Sequence, residues 1–341
     1  MYLLLAVLVE VLTLYTSWYV GYFILFFAMI MVLVAFGCCI AKGQIKVFFS
    51  RIIECRLEIL IAIILFGTLM IPFFMLYIPI LRSAGGYDYM GVAVHLPEII
   101  DIINVTESNF MMGEVLKRIG TSMRVFSSEQ QEGFSVILLV MFAIAYVKTR
   151  KALWNQDNGE VEEKYFWRYV VSVSIMICLL LIVRLGSNGI SLWRIVSKIV
   201  PGATSIRAIS RFMFFWGFPM VAVTSCCLDD IFIKRNSIPQ NVCRIVIITL
   251  LVISNINLDG IYTTESWNAK TQQELLDSIP PAPDDMETFF ICDLPQDQYD
   301  TYWQTMAMEI SDKFEVPTIN GYPGVSPENW GLIRFCRVDY V

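Results

Sequence analysis

The sequence predicts an all-α polytopic membrane bundle of six to seven transmembrane helices, followed by a small C-terminal extracytoplasmic α/β domain. Three observations predict it. Apolar residues make up 56% of the 341 positions and charged residues only 16%, with a mean hydropathy of +0.61. A soluble domain carries about 25% charged residues, so the surplus of apolar side chains must face lipid. The apolar positions also gather into runs of spanning length. Finally, the charge divides near residue 258: from Asp259 to Val341, 15 acidic residues face 4 basic ones, whereas the body before it holds 16 acidic and 21 basic. Residues 1–258 therefore form the membrane domain and 259–341 an acidic, water-facing tail.

The clearest spans are Val20–Ala41 and Leu57–Leu81, followed by Phe134–Val147, Tyr169–Val183, Phe212–Leu228 and Cys243–Leu258. The shorter runs lengthen where flanking Lys and Arg side chains reach back to the interface, as at Lys148, Arg150, Lys151 and Arg168. The opening Tyr2–Leu14 is apolar apart from Glu10 and is the seventh candidate. It lacks a basic leading region and a small-residue cleavage site, so a signal peptide is rejected.

Lys and Arg in the short loops set the orientation. Residues 42–56, 148–168 and 229–242 form the basic, cytoplasmic loops; 82–133, 184–211 and the tail then lie outside. Segment 184–211 runs against this rule, with Arg184, Arg194, Lys198, Arg207 and Arg211 and no acidic residue. Either the orientation fails at this segment or its charges have an anionic partner, and the regularity of the other basic loops favours the partner. In loop 82–133, Ile99, Ile100 and Ile103, then Met111, Met112, Val115, Leu116 and Ile119, recur near helical spacing and predict two short interfacial helices. Gly189–Val200 reads the same way. In the tail, Thr271–Ile279 is a helix and Ser278–Asp285 a proline-rich linker. Thr288–Cys292 and Val316–Ile319 are strand candidates, and Trp303, Met306, Ile310 and Phe314 mark a helical face.

Most chemistry is excluded. The single histidine, His95, rules out a multi-histidine metal centre, and no phosphate-binding loop, dinucleotide fingerprint or zinc-protease helix appears. No cofactor motif is present. Nucleic acid is excluded as a partner, since the large soluble part would repel phosphate. Seven of the nine cysteines lie in or beside apolar runs, as small buried hydrophobes; Cys292 and Cys336 in the tail are a candidate disulfide. Asp229–Asp230 reads as a solvated helix end.

The strongest constellation is PGATSIRAISRF, Pro201–Phe212. Pro and Gly break the preceding helix, and a new span follows. Arg207 and Arg211 stand four apart, which places both guanidinium groups on one face of the starting helix. A fork of donors at headgroup depth suits a phosphate or pyrophosphate; pairing with ordinary anionic lipid, or with a carboxylate of loop 82–133 or the tail, is the alternative.

PGATSIRAISRF resembles the "PGFSAIRxxxRF" signature of a group of bacterial multi-pass membrane proteins in the glycosyltransferase C superfamily. These are polyprenyl-phosphate-sugar-dependent enzymes with an outward active site. LTLYTSWYVGYF (Leu12–Phe23) is similar to the group's "LTSxYxGxF" span start, and HLPEIIDIINVTESNFMMG (His95–Gly113) to an outer-loop "LPxxxDxxxxxxxN" element. VPTINGYPGVSPENW (Val316–Trp330) is similar to "PTxNGYSGxxPxxW" near the C-terminus, with Pro323 where the group commonly has Ser. The four stretches occur in the group's order and cover nearly the whole chain. The resemblance implies a membrane glycosyltransferase-like protein of the bacterial cytoplasmic membrane. It would bind a polyprenyl-phosphate-linked sugar on the outer face through Arg207, Arg211, Arg194, His95, Asn109, Asn320 and Tyr322. The superfamily's essential acid lies in a first outer loop, for which nothing before Leu12 has room. The chain thus resembles a C-terminal half and is expected to be inactive by itself. The carboxylates left as bases are Asp101 and Glu107.

Two bland readings stand beside these. Asn320–Gly324 (NGYPG) is also a strong turn, and a histidine next to Leu96–Pro97 also caps or packs. A non-enzymatic accessory protein, or a lipid-linked-glycan binder or transporter, is the alternative function. Proton-coupled transport has little support, because Glu10 is nearly the only charge inside a span.

Overall fold

The computed structural model describes residues 2–84, 86–123, 132–154, 163–185, 190–232, 238–258, 269–291 and 300–321. The chain forms two compact units: Met1–Pro79 with Gly86–Gly260, and Ile80–Gly85 with Ile261–Val341. Helices dominate the described residues, where pairing between extended segments is limited to isolated bridges such as Asn109–Asn257 and Phe289–Thr318.

In the first unit, α1 (Tyr2–Thr16) leads into α2 (Trp18–Ala41), which has no charged residue along its 24 positions. The two helices approach closely at Gly21, where a Cβ would stand 2.6 Å from the Leu14 side chain. Next come α3 (Ile45–Glu54) and α4 (Arg56–Ala84), the latter carrying Pro72 and Pro79 within it. α7 (Val136–Trp154), α8 (Glu163–Ile182), α10 (Phe212–Phe232) and α11 (Ile238–Ile253) complete the long elements. Trp18–Ala41, Arg56–Arg82, Glu163–Ile182 and Ile209–Ile231 are long and apolar enough to cross a membrane; Tyr2–Thr16 and Pro239–Ile253 are apolar but shorter. Loop 82–133 contributes α5 (Tyr89–Ala93), a 3-10 turn at Ile99–Ile103 and α6 (Gly113–Met123), and segment 184–211 contributes α9 (Trp193–Ile199).

α2, α7, α8 and α10 pack on one another around Phe26, Phe27, Phe142, Cys178, Phe212 and Trp216. Away from this core the helices present large apolar side chains outward, among them Met75 of α4 and Phe214 and Phe218 of α10. In water such exposure would be costly at about 25 cal/mol per Å²; in a bilayer it costs little. Some polar groups inside are satisfied locally: Ser172 and Ser174 donate to Arg168 O and Val170 O, four residues back.

The loops gather at the two ends of this bundle. At one end Lys42, just past α2, donates to Leu153 O, and Arg244 pairs with Asp229 at 3.5 Å. There too Asp230 bonds Arg168, with Lys164 at 3.9 Å. Asp229 is thus exposed at the helix end, as a solvated terminus predicts, while Asp230 is half-buried against Arg168. At the other end loops 82–133 and 184–211 interlock: Tyr87 N–H donates to Thr204 O (2.8 Å) and Arg184 N–H to Pro97 O (2.8 Å). Leu258 N–H donates there to Ser108 O (2.9 Å). α2 alone separates the ends by about 36 Å at 1.5 Å per residue. The three basic loops thus share one end, as their alternation along the chain requires.

In the second unit, α12 (Ala269–Ser278) and α13 (Asp300–Phe314) are tied by Lys313, whose Nζ donates to Leu276 O (2.7 Å) and Asp277 (2.9 Å). The two strand candidates meet as the single parallel bridge Phe289–Thr318. Cys292, Cys336 and the Tyr322–Val341 segment lie outside the described residues. The cysteines within them, from Cys38 to Cys243, are free thiols.

Candidate functional site

Segment 201–212 is held to the start of α2 by its buried positions. Ala203, Ile206, Ile209 and Phe212 are fully buried and Ala208 and Ser210 nearly so, while Arg207 and Arg211 are exposed. Gly202 turns the chain with φ +82°, and a Cβ there would lie 3.1 Å from the Tyr22 ring and 3.3 Å from Trp18. Only glycine meets both demands cheaply. Trp18 Nε1–H donates to Ser205 Oγ (2.7 Å), whose own hydroxyl donates to Gly202 O (2.6 Å). Ser210 N–H donates to His95 O (3.3 Å), which joins the outer-loop element to the arginine segment. Ser210 Oγ and Tyr22 Oη are buried without a hydrogen-bond partner among the described residues, which marks unused bonding capacity in this layer.

The arginine pair is not arranged as helical spacing predicts. Ile206 and Ala208 are not helical, a 3-10 turn covers Ile209–Arg211, and α10 begins only at Phe212. Arg207 and Arg211 are joined instead by Tyr19. The Arg207 backbone N–H donates to Tyr19 Oη (3.0 Å), and the Arg211 guanidinium lies 5.4 Å from the Tyr19 ring centroid. Tyr19 packs edge-on against Phe23, which stacks on Phe212 at 4.5 Å. The platform is thus braced from both sequence stretches.

The same device recurs in α9's approach. Ser191 N–H donates to Tyr89 Oη (3.1 Å), and the Arg194 guanidinium lies 5.6 Å from the Tyr89 ring. A guanidinium over an aromatic face keeps its N–H edges available, while the ring quadrupole supplies about 0.5–2 kcal/mol. Among the described residues Arg194, Lys198 and Arg207 have no carboxylate within ion-pair distance. Arg184 in the same segment pairs with Glu98 at 3.5 Å. The segment therefore presents positive charge with anion-binding capacity.

The remaining sequence candidates divide. His95 contributes its backbone, as above. Asn109 is buried, with both amide protons given to Ser254 O and Asn257 Oδ1 and its oxygen accepting from Met111 and Met112 N–H. Asn320, in the second unit, is equally engaged: it donates to Ile291 O and Gln304, and accepts from Ile291 N–H and Thr318 Oγ1. An amide offers two donors and two acceptor lone pairs, so each already has a full set of protein partners. Tyr322 lies outside the described residues. Asp101 is fully buried, its Oδ2 accepting from Glu98 N–H within a capping box; Glu107 is exposed.

Tyr19 and Tyr89 were not among the sequence candidates. Tyr19 lies inside the Leu12–Phe23 stretch, which was the available signal; nothing in the sequence ties Tyr89 to Arg194.

Beside the segment, a cleft of about 760 Å³ runs between α7, α10 and α11. Phe214, Val221 and Leu251 line its apolar part, and Thr106, Asn255 and Asn257 its polar mouth. Thr106 takes φ +84° there, costly for a β-branched residue, with Asn104 and Ser108 holding it. No cluster of metal-ligating side chains occurs among the described residues. Comparison with protein-family models, curated proteins and solved structures gave no match.

Proposed function

We propose that this chain is a glycosyltransferase-like membrane protein that holds the phosphate of a polyprenyl-phosphate-linked sugar with Arg207 and Arg211. Arg194 adds charge beside them. The observation that carries the reading is the shared tyrosine: Tyr19 accepts from the Arg207 backbone N–H and lies under the Arg211 guanidinium, in a segment anchored by the buried Ala203, Ile206, Ala208, Ile209, Ser210 and Phe212. Such preorganisation is what a phosphate site requires. The cleft along α10 is a fitting place for the lipid chain. The reading includes α1, α7 and α11 as further spans, six to seven in all. It also includes a bacterial cytoplasmic membrane setting, the arginine end outside, and an extracytoplasmic tail of α/β type.

The enclosure of Asp101 within its turn favours a second reading, a lipid-linked-glycan binder without transfer. Titration of a polyprenyl phosphate against wild type, Arg207→Ala and Arg211→Ala tests the shared premise. Each charge-assisted bond contributes about 1.5–3 kcal/mol, so each variant should bind about tenfold or more weakly. Equal affinities across the three would end both readings. Sugar transfer from the same donor then separates enzyme from binder.

A further inference from the structure

α3 stands apart from the arginine segment, at the basic end of the bundle, and the function proposed above does not use it. It follows α2 through a tight turn at Gly43 (φ +67°) and meets α4 at Cys55. None of its residues is buried. At 100° per residue, Ile45, Phe48, Phe49, Ile52 and Ile53 fall on one arc, while Lys46, Ser50, Arg51 and Glu54 fall on the other. Phe48 and Phe49 touch the bundle through Phe36 of α2, at ring distances of 5.3 and 6.2 Å. An amphipathic helix with no buried residue, joining two helices of spanning length, lies along the bilayer surface with its apolar arc toward the acyl chains.

The corner between α3 and α4 forms a cleft of about 740 Å³. Phe49, Ile53 and Leu57 give it an apolar floor; Lys46, Ser50 and Arg56 give it a polar rim. Glu54 also lines it, but accepts from Ser50 Oγ (3.0 Å) and pairs with Arg51 at 3.6 Å. Lys46 and Arg56 have no ion-pair partner among the described residues. Two uncommitted cations above an apolar floor, at headgroup depth, match one kind of molecule.

We infer that the α3–α4 corner is a binding site for an anionic phospholipid. Its phosphate sits between Lys46 and Arg56, and an acyl chain lies along Phe49, Ile53 and Leu57. The site holds the basic end of the bundle to an anionic leaflet, and it stands or falls separately from the arginine segment at the other end.

The test uses the full chain with a bimane fluorophore on Cys55, which is exposed at this corner, the other cysteines being replaced by serine or alanine. The protein is reconstituted in phosphatidylcholine vesicles with a rising share of brominated phosphatidylglycerol, or of brominated phosphatidylcholine as reference. Contact quenching then gives the relative affinity of the two lipids at the corner. A cation at the surface contributes about fivefold, so wild type should prefer phosphatidylglycerol by about twentyfold. Lys46→Gln should retain about a fivefold preference, and Lys46→Gln with Arg56→Gln should show none. Arg51→Gln, outside the cleft, and the exchange Lys46→Arg with Arg56→Lys should keep it. Equal quenching by both lipids in wild type would overturn the inference, as would a preference that survives the double substitution. Absence of quenching by either lipid would overturn it in favour of a protein-covered corner. Displacement by an excess of inorganic phosphate would show a soluble-anion site instead.

Discussion

The two ends of the bundle both carry cations, but they hold them differently. At the basic-loop end, Arg168 meets Asp230, Arg244 meets Asp229, and Lys42 donates to a backbone carbonyl. At the other end Arg211 and Arg194 stand over tyrosine rings, and Arg207 is anchored through its backbone N–H. A carboxylate neutralises a guanidinium and occupies its N–H fork; a ring restrains it and leaves both charge and fork in place. The carboxylate arrangement serves the fold; binding capacity stays where no carboxylate stands within ion-pair distance among the described residues, as at Arg194 and Arg207 at one end and Lys46 and Arg56 at the other.

The sharpest way to break the comparison is sidedness. Ser50→Cys and Lys198→Cys lie at the two ends, so a membrane-impermeant maleimide should label one from each side of sealed vesicles and never both from the same side. Labelling of both from one side would undo the two-ended arrangement. Next in size is the contrast between substitutions. Asp230→Ala leaves the Arg168 guanidinium, only 16% exposed, without its carboxylate. It should cost about 2 kcal/mol of stability, a loss for a partly buried pair that is smaller than for a sealed one. Arg207→Ala keeps the backbone bond to Tyr19 and should change stability by less than about 0.5 kcal/mol. Denaturation in mixed micelles measures both; equal losses would mean that Arg207 serves the fold as well.

A finer division is available at Tyr19. Tyr19→Phe removes the acceptor for Arg207 N–H but keeps the ring under Arg211, and should cost about 1 kcal/mol. Tyr19→Leu removes both and should cost about another 1 kcal/mol, with a further fall in polyprenyl-phosphate affinity. The same melts and titrations report whether hydroxyl and ring act separately. The smallest effect concerns the tail, whose exposed ion pair is a third arrangement. The Lys313 hydrogen bond, helped by Gln273, holds the Asp277 carboxyl below its ordinary range. A folded-state pKa below the unfolded one stabilises above the ordinary carboxylate range and is lost as pH falls through the folded value. Asp277→Asn should flatten that acid limb of the melting profile slightly, and an unchanged limb would assign it to other carboxylates.

Much of the membrane domain was legible because hydropathy is a local property. The apolar runs placed α1, α2, α4, α7, α8, α10 and α11, and α7 extends past Lys148 to Trp154 as snorkelling side chains permit. The short helical elements at 99–103, 113–123 and 193–199 followed from periodicity. The tail strands were less legible, since two short apolar runs specify a bridge as readily as a ladder.

At the candidate site, the sequence by itself determined which residue types are present: an acid-free segment with five cations, broken by Pro201 and Gly202 and followed by a span. It did not determine how they are held. Four-residue spacing implied a helical turn, but α10 starts after both arginines, and a tyrosine nearly 190 residues earlier holds the Arg207 backbone and lies under the Arg211 guanidinium. Asn109 and Asn320 looked like ligand-binding amides, and only their packed surroundings showed every donor and acceptor engaged. Asp229 is solvated as its place at a helix end implies, but the pairing of its neighbour Asp230 with Arg168 at the start of α8 was not legible. Composition and periodicity act over a few residues and fix helices and charge. Hydrogen-bond and ion-pair partners depend on which distant segments the fold brings within about 3 Å, and that is decided by tertiary packing alone.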